Sequence, residues 1–155
     1  AGEGFDRSLK TALLLNDWAD EIGEEEICER YNVGPGDIYG MVDSVTWLIH
    51  ASRRLAHLFA PHLEGPIGEM EIRIRHGIRK ELLPLIRLRG IGRVRARRLF
   101  NNNLGTIEAL RAAGPGKIGE IIGQKIAAQV FEQLEGKRDE IGEIIDEQSS
   151  LSWFG

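Results

Sequence analysis

Residues 87–100 read RLRGIGRVRARRLF, a run in which two glycines bracket one isoleucine between short apolar segments. Glycine adopts backbone angles that other residues resist, so Gly90 and Gly92 predict a tight turn. Ile91, which lies between them, is predicted to pack into the core between two helices. Apolar residues recur at helical spacing on both sides of the turn, namely Leu85, Leu88, Ala96, Leu99 and Phe100. The run therefore predicts two short helices joined by a hairpin.

This spacing is typical of a helix-hairpin-helix, which binds the sugar-phosphate backbone without reading base sequence. Backbone N–H groups at the hairpin and at the start of the second helix are expected to point outward, towards a phosphate. The arginines fall in two pairs on two helical faces, so one pair is predicted to contact DNA and the other a neighbouring domain. The predicted DNA-binding residues are Gly90, Ile91, Gly92, Arg93, Arg95, Arg97 and Arg98. The alternative, a hairpin that packs only against protein, does not call for this many arginines.

The charge of the chain is unevenly distributed. Between Arg73 and Arg98 lie ten basic residues and one acidic residue, Glu81. This segment is therefore +9 and the remainder −13, in a chain whose net charge is −4. A basic stripe on an acidic protein is the electrostatic footprint of a nucleic-acid-binding surface. The alternative is a solvated face paired with acidic residues.

Several classes of protein are excluded by what the sequence lacks. The single cysteine, Cys28, allows no disulfide framework and no zinc site built from cysteines, which indicates a reducing compartment. The predicted location is cytoplasmic and nucleoid-associated. No membrane span, signal peptide or phosphate-binding glycine loop is visible. The four histidines show no metal-ligand spacing with carboxylates. We therefore predict no catalytic site, metal or cofactor in this chain and no membrane partner.

The predicted fold is all-α, because the periodic segments indicate helices and none indicates a strand. Helices are predicted over residues 6–20, 24–31, 38–59, 66–77, 82–86, 93–101, 106–112 and 124–135. In the first helix the predicted inward residues are Leu9, Ala12, Leu13 and Trp18, and Asp37 is the predicted N-cap of the third. A second, weaker hairpin is predicted at Ile122 and Gly123. We predict a helical bundle over residues 1–77, a helix-hairpin-helix domain over 78–136, and an acidic, aromatic tail over 137–155.

The helix predicted over residues 38–59 carries an unusual tryptophan. Its apolar stripe comprises Ile38, Val42, Val45, Ile49, Ser52, Ala56 and Phe59, widened on one side by Met41, Leu48 and Leu55. Trp47 falls almost opposite this stripe, near Arg54. A large aromatic ring beside an arginine is suited to stacking on an unpaired base, so Trp47 and Arg54 are predicted to bind DNA. The alternative is that Trp47 packs against another helix of the bundle.

The end of the chain carries a candidate partner-binding peptide. Its predicted contact residues are Gln148, Leu151, Trp153 and Phe154. Their order resembles a sliding-clamp-binding peptide, although the aromatic pair comes one residue early. Acidic residues before an aromatic pair also suit a basic groove on replication protein A. A frayed terminus is the remaining interpretation.

Four stretches together resemble the C-terminal part of the archaeal Hjm-type superfamily-two DNA helicases. They are KTALLLNDWADEI (Lys10 to Ile22), YNVGPGDIY (Tyr31 to Tyr39), the Trp47 helix, and ELLPLIRLRGIGRVRARRLF (Glu81 to Phe100). The resemblance implies a ratchet helix whose Trp47 stacks on single-stranded bases, and a final helix-hairpin-helix domain that holds the emerging 3′ tail. Gly40 stands where some members have an arginine, and Tyr39 is the nearest residue that could replace it.

The resemblance also implies what the parent protein does. The family unwinds DNA 3′ to 5′ at stalled forks, with ATP and Mg²⁺ held by two motor domains that this sequence lacks. The resemblance implies that the run with Arg93, Arg95 and Arg97 restrains the motor or couples the domain to it. The implied partners are single-stranded or forked DNA and the motor domains. Three other functions stay open: a protein-interaction module that acts through the tail, an accessory domain of an RNA helicase, and one of a nuclease.

Overall fold

The computed structural model describes residues 2–136 of the chain. The predicted tail, with Gln148, Leu151, Trp153 and Phe154, lies outside the described residues. Within residues 2–136 the structure contains helices and no strands, which confirms the predicted all-α fold. The chain divides into two compact units, of which the first ends at Leu83 and the second begins at Pro84. No helix in this range is long and apolar enough to cross a membrane.

The first unit contains four α-helices, and the second contains three after a short connecting helix. The helices are α1 (Gly2–Ala19), α2 (Glu24–Tyr31), α3 (Pro35–Phe59), α4 (Glu64–His76), α5 (Leu83–Ile86), α6 (Arg93–Asn101), α7 (Ile107–Ile122) and α8 (124–136). Single 3₁₀ turns cover Pro61–Leu63 and Lys80–Leu82. Within the first unit α4 packs along α3, and α1 contacts α2, α3 and α4.

The buried face of α1 differs from the predicted one. Leu9, Ala12 and Leu13 are exposed, so their prediction as inward residues is wrong, whereas Trp18 is buried as predicted. The core of the unit is formed by Leu14, Leu15, Trp18, Ile27, Ile38 and Val42. Because leucine occupies three successive positions of α1, its spacing allows more than one apolar face. The positions of the neighbouring helices select the face that is buried.

Trp18 joins α1 to the end of α4. Its indole Nε1–H donates a hydrogen bond to the carbonyl of Ile74 at 2.9 Å. Gly77, the C-cap of α4, has φ +64°, and a Cβ there would lie 2.5 Å from Trp18 Cε2. Only glycine satisfies both the left-handed backbone and this close approach.

Asp37 stabilises the start of α3 from inside the helix. The helix begins at Pro35 with Gly34 as its N-cap, so the predicted N-cap role of Asp37 is wrong. Asp37 occupies the third helical position, from which its carboxylate accepts a hydrogen bond from the Gly34 N–H at 2.8 Å. Proline suits the first helical position because its missing N–H needs no partner there.

The apolar residues of α3 that were predicted to share one face are buried only in part. Ile38, Val42 and Ala56 are buried, but Leu48, Leu55 and Phe59 are exposed, Phe59 by 82%. These last three residues belong to the apolar stripe or its widened edge but do not face the core. α4 is the main packing partner of α3. No other described helix of the unit covers the side that carries these residues.

The second unit packs α6, α7 and α8 around buried aliphatic residues. Its core includes Ile91, Ala96, Leu99, Leu110, Ile118, Ile122, Val130 and Leu134. Gly114, with φ +81°, interrupts α7, and the helix then resumes at Pro115. The sequence prediction ended this helix at residue 112 and missed its second segment. The second hairpin is formed at Gly123: the Ala127 N–H donates to its carbonyl at 3.0 Å, as the Ala96 N–H donates to that of Gly92 at 2.9 Å.

We expect the first unit to lose stability as the pH falls below neutrality. Burial, and secondarily the charge of Arg75, lowers the pKa of His76 below its ordinary value of 6.5. The unfolded chain therefore binds a proton at a higher pH than the folded chain does. The stability that depends on neutral His76 is fully present above the pKa that His76 has in the unfolded chain. It is lost as the pH falls through the lower pKa of His76 in the folded chain.

The measurement is the melting temperature by circular dichroism from about pH 7.5 to about pH 5.5. Wild type should lose more of its melting temperature over this range than His76→Gln. Identical pH profiles would show that His76 does not carry the effect.

Candidate nucleic-acid interface

Trp47 lies on the outer surface of α3. Its side chain is 69% exposed, and no aromatic pairing involving it is found within residues 2–136. The alternative that Trp47 packs against another helix of the bundle is not observed in this unit. Its ring lines an open pocket of about 360 Å³ together with Asp43, Thr46, His50 and Arg75. An exposed indole beside polar groups is geometrically able to stack on a planar ligand.

Arg54 extends the surface along the same helix. It lies seven residues after Trp47, about two helical turns, and therefore on the same face. Its side chain forms no ion pair with any residue in the described range. Arg54 lines a second pocket that shares His50 with the Trp47 pocket. Trp47, His50 and Arg54 thus form one exposed stripe, which we call the α3 stripe.

Tyr39 is engaged elsewhere. Its hydroxyl donates to Glu24 Oε2 at 2.8 Å, and its ring packs edge-on against Trp18 with centroids 6.0 Å apart. The structure therefore gives Tyr39 a role in the packing of the first unit, and does not bring it to the site as a replacement for the arginine absent at Gly40.

The hairpin of the second unit depends on one left-handed glycine. Gly90 has φ +89°, as the predicted turn requires. Gly92 has φ −91° and ψ −173°, which other residues also adopt, so its predicted need for special backbone angles is wrong. Ile91 is 4% exposed, and its N–H donates to the Leu88 carbonyl at 3.2 Å. Ile91 therefore fills the core, and its amide is already committed within the hairpin.

Gln133 of α8 holds the hairpin in place. Its amide Oε1 accepts a hydrogen bond from the Arg89 N–H at 2.9 Å, and its Nε2 donates to the Arg89 carbonyl at 3.0 Å. One side chain thereby satisfies both polar groups of one hairpin residue. The sequence prediction missed Gln133, since 44 residues separate it from Arg89 and no local pattern links them.

The hairpin arginines occupy different environments. Arg95 and Arg98 are exposed, and Arg95 donates to the Gly90 carbonyl at 3.0 Å. Arg93 and Arg97 are half-buried, and the Arg97 guanidinium lies 5.0 Å from the centre of the Phe100 ring. Gly92 is the N-cap of α6 and has no side chain to accept from the first N–H groups of the helix. The start of α6 therefore combines helix-terminal donors with guanidinium groups.

The basic segment from Arg73 to Arg98 is shared between the two units. Three of its four members in the first unit pair with acidic residues: Arg73 with Asp20, Arg75 with Glu71 and Lys80 with Glu69. For this part of the segment, the alternative of a solvated face paired with acidic residues is correct in part. In the second unit four arginines form no ion pair with the described residues: Arg87, Arg89, Arg95 and Arg98. In residues 2–136 no group of three or more His, Cys, Asp or Glu side chains is arranged to hold a metal ion.

Comparison with protein families agrees with the division of the chain into two units. Residues 2–77 match the family described as archaeal helicase, domain 4, and residues 82–135 match the SAM-like helix-hairpin-helix tandem. The first match covers most of the first unit. The second match covers most of the described part of the second unit and accounts for the second hairpin at Gly123. Both matches confirm the resemblance to the archaeal helicases.

Individual relatives are similar over most of the chain. The ATP-dependent DNA helicase Hel308 of Pyrococcus abyssi is 42% identical over 143 residues, which cover 90% of this chain and 20% of that protein. Hel308 of Methanocella arvoryzae is 38% identical over 97% of this chain and 20% of its own length. Hel308 of Methanocaldococcus jannaschii is 36% identical over 82% of this chain and 10% of its own length. This chain thus spans a fifth or less of the length of these helicases.

Proposed function

We propose that this chain binds single-stranded DNA without base preference, as the accessory part of an ATP-dependent 3′ to 5′ DNA helicase in replication-fork repair and recombination. The observation that carries the proposal is the α3 stripe, in which an exposed tryptophan and an exposed arginine lie on one helical face. The arginine-rich hairpin of the second unit supports it independently.

The α3 stripe supplies stacking. Every nucleobase has a flat face, so an exposed indole binds any base and favours no sequence. Only unpaired bases are free to stack on a protein side chain, which selects single strands over duplex. Arg54, two turns further along α3, is in a position to contact the phosphates that follow the stacked base.

The hairpin supplies contacts to the sugar-phosphate backbone. Its donors are one of the two arginine pairs of α6, Arg93 with Arg97 or Arg95 with Arg98, and the N–H groups that begin α6, next to Gly92. Gly90 sets the turn and the buried Ile91 anchors it, so both act by shaping the hairpin. Cationic side chains and helix N-termini recognise phosphate and leave the base edges unread, which suits a protein that moves along DNA.

The rest of the helicase is proposed from the relatives. They are ATP-dependent DNA helicases, and this chain carries no phosphate-binding glycine loop, so ATP and Mg²⁺ would be bound by motor domains elsewhere in the parent protein. The exposed apolar side of α3 supports docking against those domains, since isolated apolar surface of this extent is rarely left in contact with water. It comprises Leu48, Leu55 and Phe59. A sliding clamp or replication protein A as a partner of the tail is supported by the order of its residues alone.

The experiment is to compare three ligands of matched sequence: single-stranded DNA, single-stranded RNA and duplex DNA. We expect the 155-residue chain to bind the DNA strand more tightly than the duplex, and to bind oligothymidylate and oligoadenylate with Kd values within about threefold, because stacking and phosphate contacts ignore base identity. Fluorescence anisotropy of labelled strands gives all of these Kd values. Preference for RNA would favour an RNA-helicase accessory domain, and preference for duplex would overturn the proposal.

A further inference from the structure

A buried carboxylate lies beneath the α3 stripe. Glu71 of α4 has a side chain only 5% exposed, and its two oxygens are surrounded by three basic side chains. Oε1 lies 3.2 Å from Arg75 Nη2 and 3.1 Å from His50 Nδ1, and Oε2 lies 3.5 Å from Arg53 Nη1. A carboxylate removed from water is stable only when it is paired. Glu71 therefore constrains the positions of all three basic groups.

Each of the three basic side chains keeps about half of its surface in solvent. The side chain of Arg75 is 53% exposed, that of His50 54% and that of Arg53 44%. A guanidinium has five N–H donors, and within residues 2–136 Glu71 is the only hydrogen-bond partner of the Arg75 guanidinium. Arg75 therefore retains donors for a ligand while one of its nitrogens is held by Glu71.

Two of these groups share a pocket with Trp47. Arg75 and His50 line the open pocket beside the indole, together with Asp43 and Thr46. Thr46 is buried, and its Oγ1 has no hydrogen-bond partner in the described range, so the pocket wall contains an unsatisfied polar atom. Across the Trp47 pocket and the neighbouring Arg54 pocket, the charges of Arg53, Arg54 and Arg75 are balanced by the carboxylates of Asp43, Glu64 and Glu71. Arg75 is the guanidinium that lines the pocket beside the stacking ring.

We propose that Arg75 and His50 bind the phosphate joined to the base that stacks on Trp47, and that Glu71 is a positioning residue that holds them there. The inference rests on the proposed function, because it assigns the phosphate contacts of the same site. The phosphate of a nucleotide is joined to its base through one sugar, so a base stacked on Trp47 brings its phosphate to the rim of this pocket. Arg75 orients the bound phosphate, since a planar guanidinium can bind a phosphate through two hydrogen bonds at once.

The main test is Arg75→Ala in the 155-residue chain, titrated with oligothymidylate at several salt concentrations. Loss of one phosphate contact should reduce the slope of log K against log salt by about 0.7 and weaken binding at low salt. The matched control is Arg79→Ala, which removes the same charge from an exposed position outside the pocket and should leave the slope unchanged. An unchanged slope in Arg75→Ala, or an equal reduction in both variants, would overturn the phosphate site.

Glu71→Gln tests the positioning role through the sign of its effect. Charge alone predicts tighter DNA binding, because the substitution removes a negative charge from the site. Positioning predicts weaker binding, because Arg75 and His50 lose the carboxylate that holds them. Tighter binding by a variant with a wild-type circular dichroism spectrum would contradict the role of Glu71, and Arg75→Ala decides the site if that variant does not fold.

The same titrations separate this inference from the proposed function. If Trp47→Ala weakens binding and Arg75→Ala does not alter the salt slope, the chain binds single strands but the phosphate lies elsewhere. If the chain does not bind oligothymidylate, both proposals fail together.

Discussion

Replacement of Trp47 by alanine is expected to weaken the binding of single-stranded DNA by about 5- to 150-fold. Stacking of a base on an aromatic side chain contributes roughly 1–3 kcal/mol, which corresponds to that range of Kd. The fold should not change, because the Trp47 side chain is 69% exposed and does not belong to the core. Fluorescence anisotropy with labelled oligothymidylate measures the loss.

Leu48→Ala is the matched control for this substitution. Leu48 is also exposed and lies on the same helix, but it belongs to the apolar side of α3. Its replacement should change the Kd by less than about twofold, which is the range typical of surface substitutions away from a site. DNA should also quench the tryptophan fluorescence of wild type more than that of Trp47→Ala, in which Trp153 and the buried Trp18 remain. Equal affinities of wild type and Trp47→Ala would remove the α3 stripe from the interface.

Replacement of Arg93 and Arg97 together by alanine is expected to weaken binding to all base sequences equally. Both residues lie on one face of α6, and Arg93 is its first residue, next to the N–H groups that begin the helix. Two lost phosphate contacts reduce affinity most at low salt, where counterion release contributes most. The affinity at low salt should therefore fall at least tenfold, by anisotropy on oligothymidylate and oligoadenylate.

Arg95→Ala/Arg98→Ala is the matched control, since it removes the same charge from the other face of α6. One pair was predicted to bind DNA and the other a neighbouring domain. Comparison of the two double variants shows which pair binds DNA. A smaller loss in the control supports contact through Arg93 and Arg97. A loss confined to one base sequence would contradict a backbone contact.

Local patterns were sufficient to predict the hairpin and the position of Trp47. A turn with one glycine in the left-handed region leaves a strong signature, and Gly90 adopts that conformation. Helical spacing separated Trp47 from the buried residues Ile38 and Val42. The end of α3 at Phe59 was also predictable, because Pro61 soon follows.

Other features depend on contacts between distant residues and could not be predicted in this way. The three successive leucines of α1 allow more than one buried face, and only packing selects Leu14 and Leu15. The second segment of α7 was missed because Gly114 and Pro115 are typical of a loop, although proline also begins helices. The spacing of Glu71 and Arg75 suggests an ordinary surface ion pair, and the burial of Glu71 appears only when α4 packs against α3.

The central claim is that this chain binds a polyanionic strand through cationic groups of the α3 stripe and the hairpin. The most direct measurement is the salt dependence of oligothymidylate binding by wild type and by Arg93→Ala/Arg97→Ala. Each neutralised phosphate contributes about 0.7 to the slope of log K against log salt, so we expect a steep negative slope for wild type and one shallower by about 1.4 for the variant. A wild-type affinity that does not change with salt would contradict the claim.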